Sequence, residues 1–316
     1  MTLTTSKPTV AVLGPGGIGG LLAALLSRSG HRVICLAREA TVRALRSDGI
    51  VVRSRQFGDF TATVEADTEL REPVDACLIT VKQTALEAAL TSVPPAALGD
   101  ALVVPLLNGV EHPATLRARY RPDRVAPGVI RVESARVATG GTGGTGSTGS
   151  TGPVVVEHGS PFTEIDLAAG TAPLARVEAL AATLSAAGTT ARVAEDETTA
   201  LWAKMAFLAP LALLTTRYGA PLGEVRTRHQ EELESLVAET AAVSRACGAP
   251  ADPAQALARY DAFPADTRSS MQRDAEAGRP LELDAIGGAL LRAADRHGVL
   301  VPVTTRLVRE LRAAGH

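Results

Sequence analysis

A short β-prone run that breaks into closely spaced glycines leaves a chain few ways to continue, and residues 9–22, TVAVLGPGGIGGLL, are such a run. Gly14, Gly16 and Gly19 spell Gly-x-Gly-x-x-Gly between a strand pattern and a helix pattern. In that setting the first glycine makes the tight turn, the second lets backbone approach a pyrophosphate, and the third lets helix pack close to strand. The helix N-terminus adds N–H groups without intrahelical partners and the positive end of a dipole. Ordinary strand-to-helix turns carry the same letters. Here the motif ends the first strand, opens a long helix and precedes a second strand at βαβ spacing, so the expectation is a dinucleotide site at Gly14, Pro15, Gly16, Gly17, Ile18 and Gly19.

The segments TVAVL, RVICLA, VDACLITV and ALVVPLL alternate with helical patterns up to about residue 110. Continuous apolar strands, each followed by a helix, predict a parallel sheet covered on both faces, an α/β doubly wound domain. Between Val125 and Leu167 the runs GVIRVESARVA, PVVVEHG and FTEIDLA follow one another without a helix, which predicts an antiparallel extension of that sheet. The Gly/Ser/Thr tract at 139–152 has no apolar residue to bury and reads as a flexible hairpin tip, not a domain boundary. A helix at about 173–187 and the run TARVA complete a first domain, 1–195. The remainder, 196–316, carries helix-period apolar positions throughout and is expected to be all-α.

A length of 316 residues suits two such domains, and 46% apolar with 21% charged residues is a globular composition. With 32 basic against 34 acidic residues the formal charge is −2, which argues against a nucleic-acid surface or a polybasic membrane patch. Cys35, Cys77 and Cys247 are far apart and odd in number, so neither a disulfide framework nor a metal site is indicated and a reducing, cytoplasmic setting fits. No secretory signal is visible in MTLTTSKPT. The apolar run 201–214 holds Lys204 and Pro210, is shorter than a membrane span, and reads as a buried helix. Oligomeric state stays open, with the apolar second half able to host a homodimer interface.

Arg38 ends the second strand, where a domain that prefers NAD usually has an acid for the ribose 2′-hydroxyl. An arginine there favours a 2′-phosphate and hence NADPH, although the adjacent Glu39 leaves room for NAD. Lys82 follows the third of these strands, and Asn108 and Gly109 the fourth, at the carboxyl edge where open sheets bind ligands. Lys204 is a lone charge inside ALWAKMAFLAPLALL and must either snorkel or sit at a cavity with a partner. Desolvation lowers the pKa of an amine, which suits a proton donor to a carbonyl oxygen. Further on, RSSMQRDAEAGRPLELDAIGG offers Ser269, Ser270, Asp274, Glu282 and Asp284, which could equally be helix caps and a solvated face.

Taken in order, the glycine turn, Arg38, Lys82, the Asn108-Gly109 pair, LWAKMA around Lys204 and SSMQRD followed by LELD resemble the ketopantoate reductase (2-dehydropantoate 2-reductase) family over essentially the whole chain. The resemblance implies NADPH-dependent reduction of a 2-keto acid in a cleft between a Rossmann domain and a helical domain. It implies Lys204 as the general acid and Glu282 as the carboxylate that supports it or binds the substrate hydroxyl, with Glu282 also touching the cofactor. Ser270 would contact the substrate carboxylate, Lys82 the cofactor, and Asn108 both cofactor and substrate. The departures lie in the substrate-binding shell. Leu208 stands four residues after the lysine where the family has asparagine, and Ala212, Leu222 and Thr267 replace further polar positions.

The expected activity is therefore reduction of a 2-keto acid or related carbonyl compound with a more apolar substrate than ketopantoate. Two alternatives are an authentic 2-dehydropantoate 2-reductase of pantothenate biosynthesis and a non-catalytic NADPH-binding protein. Retention of both Lys204 and Glu282 speaks against the last.

Overall fold

The computed structural model describes residues 7–137 and 152–315. It divides into two units, Met1–Leu107 with His112–Glu197, and Asn108–Glu111 with Thr198–His316.

The first unit carries strands β1 (Thr9–Leu13), β2 (Arg32–Leu36), β3 (Ile50–Ser54), β4 (Phe60–Ala62), β5 (Glu65–Asp67), β6 (Ala76–Ile79), β7 (Leu102–Pro105), β8 (Gly128–Arg131), β9 (Ser134–Val137), β10 (Val154–His158), β11 (Glu164–Ala168) and β12 (Thr190–Ala194). Its helices are α1 (Gly17–Arg28), α2 (Glu39–Asp48), the single turns α3 (Leu86–Ala89) and α4 (Pro95–Leu98), α5 (His112–Arg119) and α6 (Leu174–Ala186). Five strands form an all-parallel sheet in the order β5-β2-β1-β6-β7.

Alternation along these strands feeds two cores at once. Val10 and Val12 of β1, Ala76 and Leu78 of β6 and Leu102 and Val104 of β7 join one apolar cluster; Ala11, Leu13, Cys77, Ile79 and Val103 join the other. Both faces are thus buried, which is why the strands read as unbroken apolar runs. Burial also pushes the thiols of Cys35 and Cys77 up to about 12, so neither offers a reactive thiolate. The chain leaves β1 for β2 on one side and reaches β6 on the other, so the strand order reverses beside β1, at the carboxyl ends that carry Gly14 and Thr80.

The antiparallel pairings expected after Val125 are present as β9 with β10 and β8 with β11. They belong to two further sheets, β4-β3-β10-β9 and β12-β11-β8, in which β10 also runs parallel to β3 and β11 parallel to β12. The strands β3, β4 and β5 add to those expected from the sequence; β4 and β5 are only three residues long, and β3 follows α2 after Gly49 alone. Val137 pairs with Val155 across the Gly/Ser/Thr tract, and the tract itself, Gly152 apart, lies outside the described residues.

The second unit is helical: α7 (Glu197–Tyr218), whose first residue still counts with the first unit, α8 (Leu222–Arg228), α9 (Gln230–Ala246), α10 (Pro253–Ala262), α11 (Ser270–Glu276), a π-turn at Asp284–Gly288, α12 (Ala289–His297) and α13 (Pro302–Ala313). Between α8 and α9 stands His229, whose backbone leaves the helical region (φ −128°, ψ 31°) and whose ring stacks on Tyr218 at 3.5 Å. By length and composition α7 could cross a membrane. Its Trp202, Met205, Leu211, Leu213 and Leu214 instead build the helical core, as expected of a buried helix.

Candidate functional site

In the first unit the glycine turn is fixed by contacts that tolerate no side chain. Gly14 has φ +86°, donates its N–H to the Leu36 carbonyl at 3.0 Å, and accepts on its own carbonyl from Gly16 N–H at 2.7 Å and the Thr80 hydroxyl at 2.9 Å. A Cβ at Gly19 would run into that same hydroxyl and carbonyl. Gly16 differs, since the nearest atom to a Cβ there is the Gly14 carbonyl oxygen at 3.9 Å, and no side chain caps α1 at Gly16. The turn thus presents open space and N–H groups with no intrahelical acceptor, which fits a pyrophosphate. Pro15 is buried under the turn and Ile18 half-buried beside it.

Two contributors were not legible in the sequence. Thr80, directly after β6, locks the turn through its hydroxyl. Ser134 of β9 donates its hydroxyl to the Gly17 carbonyl at 2.8 Å, and a Cβ at Gly17 would enter the Ser134 backbone. A β-strand is thereby laid over the start of α1, and only the presence of a glycine at 17 hinted at it.

Arg38 is the N-cap residue of α2, its carbonyl accepting from Thr41 N–H at 2.8 Å and Val42 N–H at 3.0 Å. Its guanidinium is exposed and has no hydrogen-bond or ion-pair partner among the described residues. That leaves it available to a 2′-phosphate. Lys82 is exposed three residues after β6, at the start of a 3-10 turn.

In the second unit the tetrapeptide Asn108–Glu111 is fastened to the helices at three of its residues. Asn108 donates from Nδ2 to Glu282 Oε2 at 2.9 Å, and Glu282 is 8% exposed. Gly109 (φ +92°) lies under the Ala285 carbonyl, where a Cβ would approach to 2.6 Å. Glu111 pairs with Arg292 at 2.6 Å, and Arg292 also holds Asp284 at 2.9 Å, so the two carboxylates raise the Arg292 pKa.

Lys204 is half-buried in the second turn of α7, and Leu208, one turn on and so on the same face, is half-buried against the helical core. Six residues beyond Lys204, Pro210 lacks the N–H that the Ala206 carbonyl would otherwise receive. The neighbouring Phe207 stacks on Tyr260 at 4.6 Å, and the Tyr260 hydroxyl donates to the Phe207 carbonyl. Ala212 and Leu222 correct the sequence expectation. Both are fully buried in the apolar core and have no surface to offer a substrate.

The serine pair divides its roles. Ser269 is buried, caps α11 by accepting from Gln272 N–H at 3.0 Å, and shares a 2.8 Å hydrogen bond with the Thr215 hydroxyl. Asp274 is buried and paired with Arg279 at 2.8 Å. Ser270 is exposed and remains open to a ligand. Gln272 Oε1 and Thr216 Oγ1 are buried with no hydrogen-bond partner among the described residues, and neither was singled out by the sequence.

A glycine turn at the reversal point of a parallel sheet, followed by a helical unit with a buried carboxylate, defines the class as a two-unit protein with a dinucleotide-binding fold. Residues 10–152 match the family model described as ketopantoate reductase PanE/ApbA, and residues 196–315 match that of its C terminal. A 2-dehydropantoate 2-reductase of Caulobacter vibrioides is 30% identical, over 97% of this chain and 99% of its own length. A second, of Mycobacterium tuberculosis, is 29% identical over 96% of this chain and 97% of its own. A PanE/ApbA family ketopantoate reductase from Ralstonia eutropha superposes with a TM-score of 0.83 at 28% identity, covering 96% of this chain and 97% of that one. D-mandelate dehydrogenase, solved with NADH and anilino(oxo)acetate, shares the fold with a TM-score of 0.83 at 20% identity, covering 96% of this chain and 97% of that one. The chain belongs to the ketopantoate reductase family, whose members are oxidoreductases acting on a ketone group.

Proposed function

We propose that this protein reduces 2-keto acids to 2-hydroxy acids with NADPH, and that its substrate is more apolar than ketopantoate. The observation that carries the reading is the Asn108–Glu282 hydrogen bond, which joins two residues 174 positions apart that were both assigned to the chemistry from the sequence. NADPH, when bound along the glycine turn with its 2′-phosphate at Arg38, supplies a hydride to the carbonyl carbon.

The chain's own groups then do the rest. Lys204 Nζ donates a proton to the carbonyl oxygen as it gains charge, so hydride and proton together make the hydroxyl. Glu282, its Oε2 oriented by the Asn108 amide, accepts the hydrogen bond of that hydroxyl. The Ser270 hydroxyl donates to the substrate carboxylate. Lys82 supports the cofactor. Leu208, where an amide would hydrogen-bond a polar substituent, offers only apolar contact.

Conversion is tested by incubating the protein with NADPH and a panel of 2-keto acids, ketopantoate included, and quantifying both NADPH and the hydroxy acid. One NADPH should be consumed per hydroxy acid formed. No conversion across the panel would overturn the reading and favour a binding-only protein. The names of the Caulobacter vibrioides and Mycobacterium tuberculosis relatives support a second reading, authentic 2-dehydropantoate 2-reductase activity in pantothenate biosynthesis.

A further inference from the structure

The strand β9 touches the starts of two helices. Ser134 Oγ donates to the Gly17 carbonyl at the head of α1, and two residues on Arg136 Nη1 donates to Thr41 Oγ1 at 3.3 Å in the first turn of α2. Strand alternation puts Ser134 and Arg136 on one face. Thr41 in turn is bound through its N–H to the carbonyl of Arg38, the residue whose guanidinium is without a partner among the described residues. The Arg136 side chain of β9 therefore reaches the first turn of α2, the helix that Arg38 opens as its N-cap residue.

No carboxylate answers them. Glu39, the acid in that first turn, is paired with Arg43 at 3.5 Å. Among the described residues the hydroxyl of Thr41 is the one hydrogen-bond partner of Arg136. Desolvation with no carboxylate to offset it holds the Arg136 pKa below the usual arginine value, whereas carboxylates raise it at Arg32, Arg192 and Arg292. A guanidinium so placed is completed by an anion with several acceptor oxygens.

We infer that Arg136 is a second specificity-determining residue for the cofactor, binding the 2′-phosphate of NADPH together with Arg38 and the Thr41 hydroxyl. This rests on the NADPH reading. It also makes β9 a floor common to the whole adenine end of the site, with Ser134 under the glycine turn and Arg136 at the ribose phosphate.

Calorimetric binding of adenosine 2′,5′-bisphosphate and of ADP separates the two ideas, because only the first ligand carries the 2′-phosphate. The unmodified protein should prefer the bisphosphate. Arg136→Gln should weaken the bisphosphate by about ten- to a hundredfold, as for loss of a hydrogen bond to a charged group, and leave ADP within about twofold. Arg136→Lys should restore part of the loss, and ADP binding reports that each variant is folded. An unmodified protein that prefers the bisphosphate, with a variant that keeps the whole preference or loses both ligands equally, overturns the role of Arg136 alone. An unmodified protein with no preference overturns the NADPH reading and the proposal with it.

Discussion

Asn108 and Glu282 meet at 2.9 Å, and their roles in the proposed reaction differ from that of Lys204 in a way kinetics can separate. Lys204 acts only as charge develops on the carbonyl oxygen, so its removal should cost rate and spare binding. Lys204→Ala is expected to lower kcat by about two to four orders of magnitude with the NADPH Kd unchanged, measured by steady-state kinetics and calorimetry. A variant that turns over at the parent rate would remove Lys204 from the role of acid. The sequence singles out a charge set in apolar surroundings, as at Lys204, or a polar residue at a strand end, as at Asn108 and Arg38. Site residues were not legible where a common residue acts by contact, as with Thr80 on the Gly14 carbonyl or Ser134 on the Gly17 carbonyl. The resemblance implied a substrate-facing position at Ala212, yet the packing of neighbouring helices seals it in the core.

The glycine turn works as an element because α1 lies against Thr80 and β9 with no Cβ between them. Gly19→Ala should force a collision with the Thr80 hydroxyl and the Gly14 carbonyl and destabilise the fold by about 1–3 kcal/mol, read from denaturant unfolding. An unchanged midpoint would mean that α1 can shift without loss. The junction of β10 with β3 makes a second prediction. His158 is buried, hydrogen-bonded to Ser54 Oγ at 2.9 Å, and stacked on Phe57 at 5.4 Å. Desolvation holds its pKa below 6.5, against the Phe162 carbonyl and Glu133, which raise it. The unfolded chain therefore binds the extra proton first on acidification, so stability falls as pH drops through about 6.5. A thermal melt series across that range should slope downward towards acid, and His158→Gln should flatten the slope. Strand existence here was only half legible: β10 and β3 each open on three apolar β-branched residues, whereas β4 is only three residues long.

At the scale of the whole molecule, the fold class could be read from four unbroken apolar strands because burial on both faces of a sheet removes polar alternation. The all-α half could be read from helix periodicity. What the sequence could not convey is that Asn108–Glu111, directly downstream of β7, is fastened by Glu282, Ala285 and Arg292 into the helical unit. Such partnerships depend on contacts between residues remote in the chain and leave no local periodicity. The departures that the resemblance implies also lie in the second unit, and of those on α7 and α8 only Leu208 has surface to present. A polar substrate group facing Leu208 would lose its hydrogen bond at a cost of about 1–3 kcal/mol, roughly ten- to a hundredfold in specificity. The most direct measurement is kcat/KM with NADPH for ketopantoate beside 2-keto acids with bulky aliphatic or aromatic side chains, in the unmodified protein and in Leu208→Asn. The bulky apolar acids should lead in the unmodified protein and the ratio should swing back towards ketopantoate in Leu208→Asn; ketopantoate as the best substrate of the unmodified protein would contradict this.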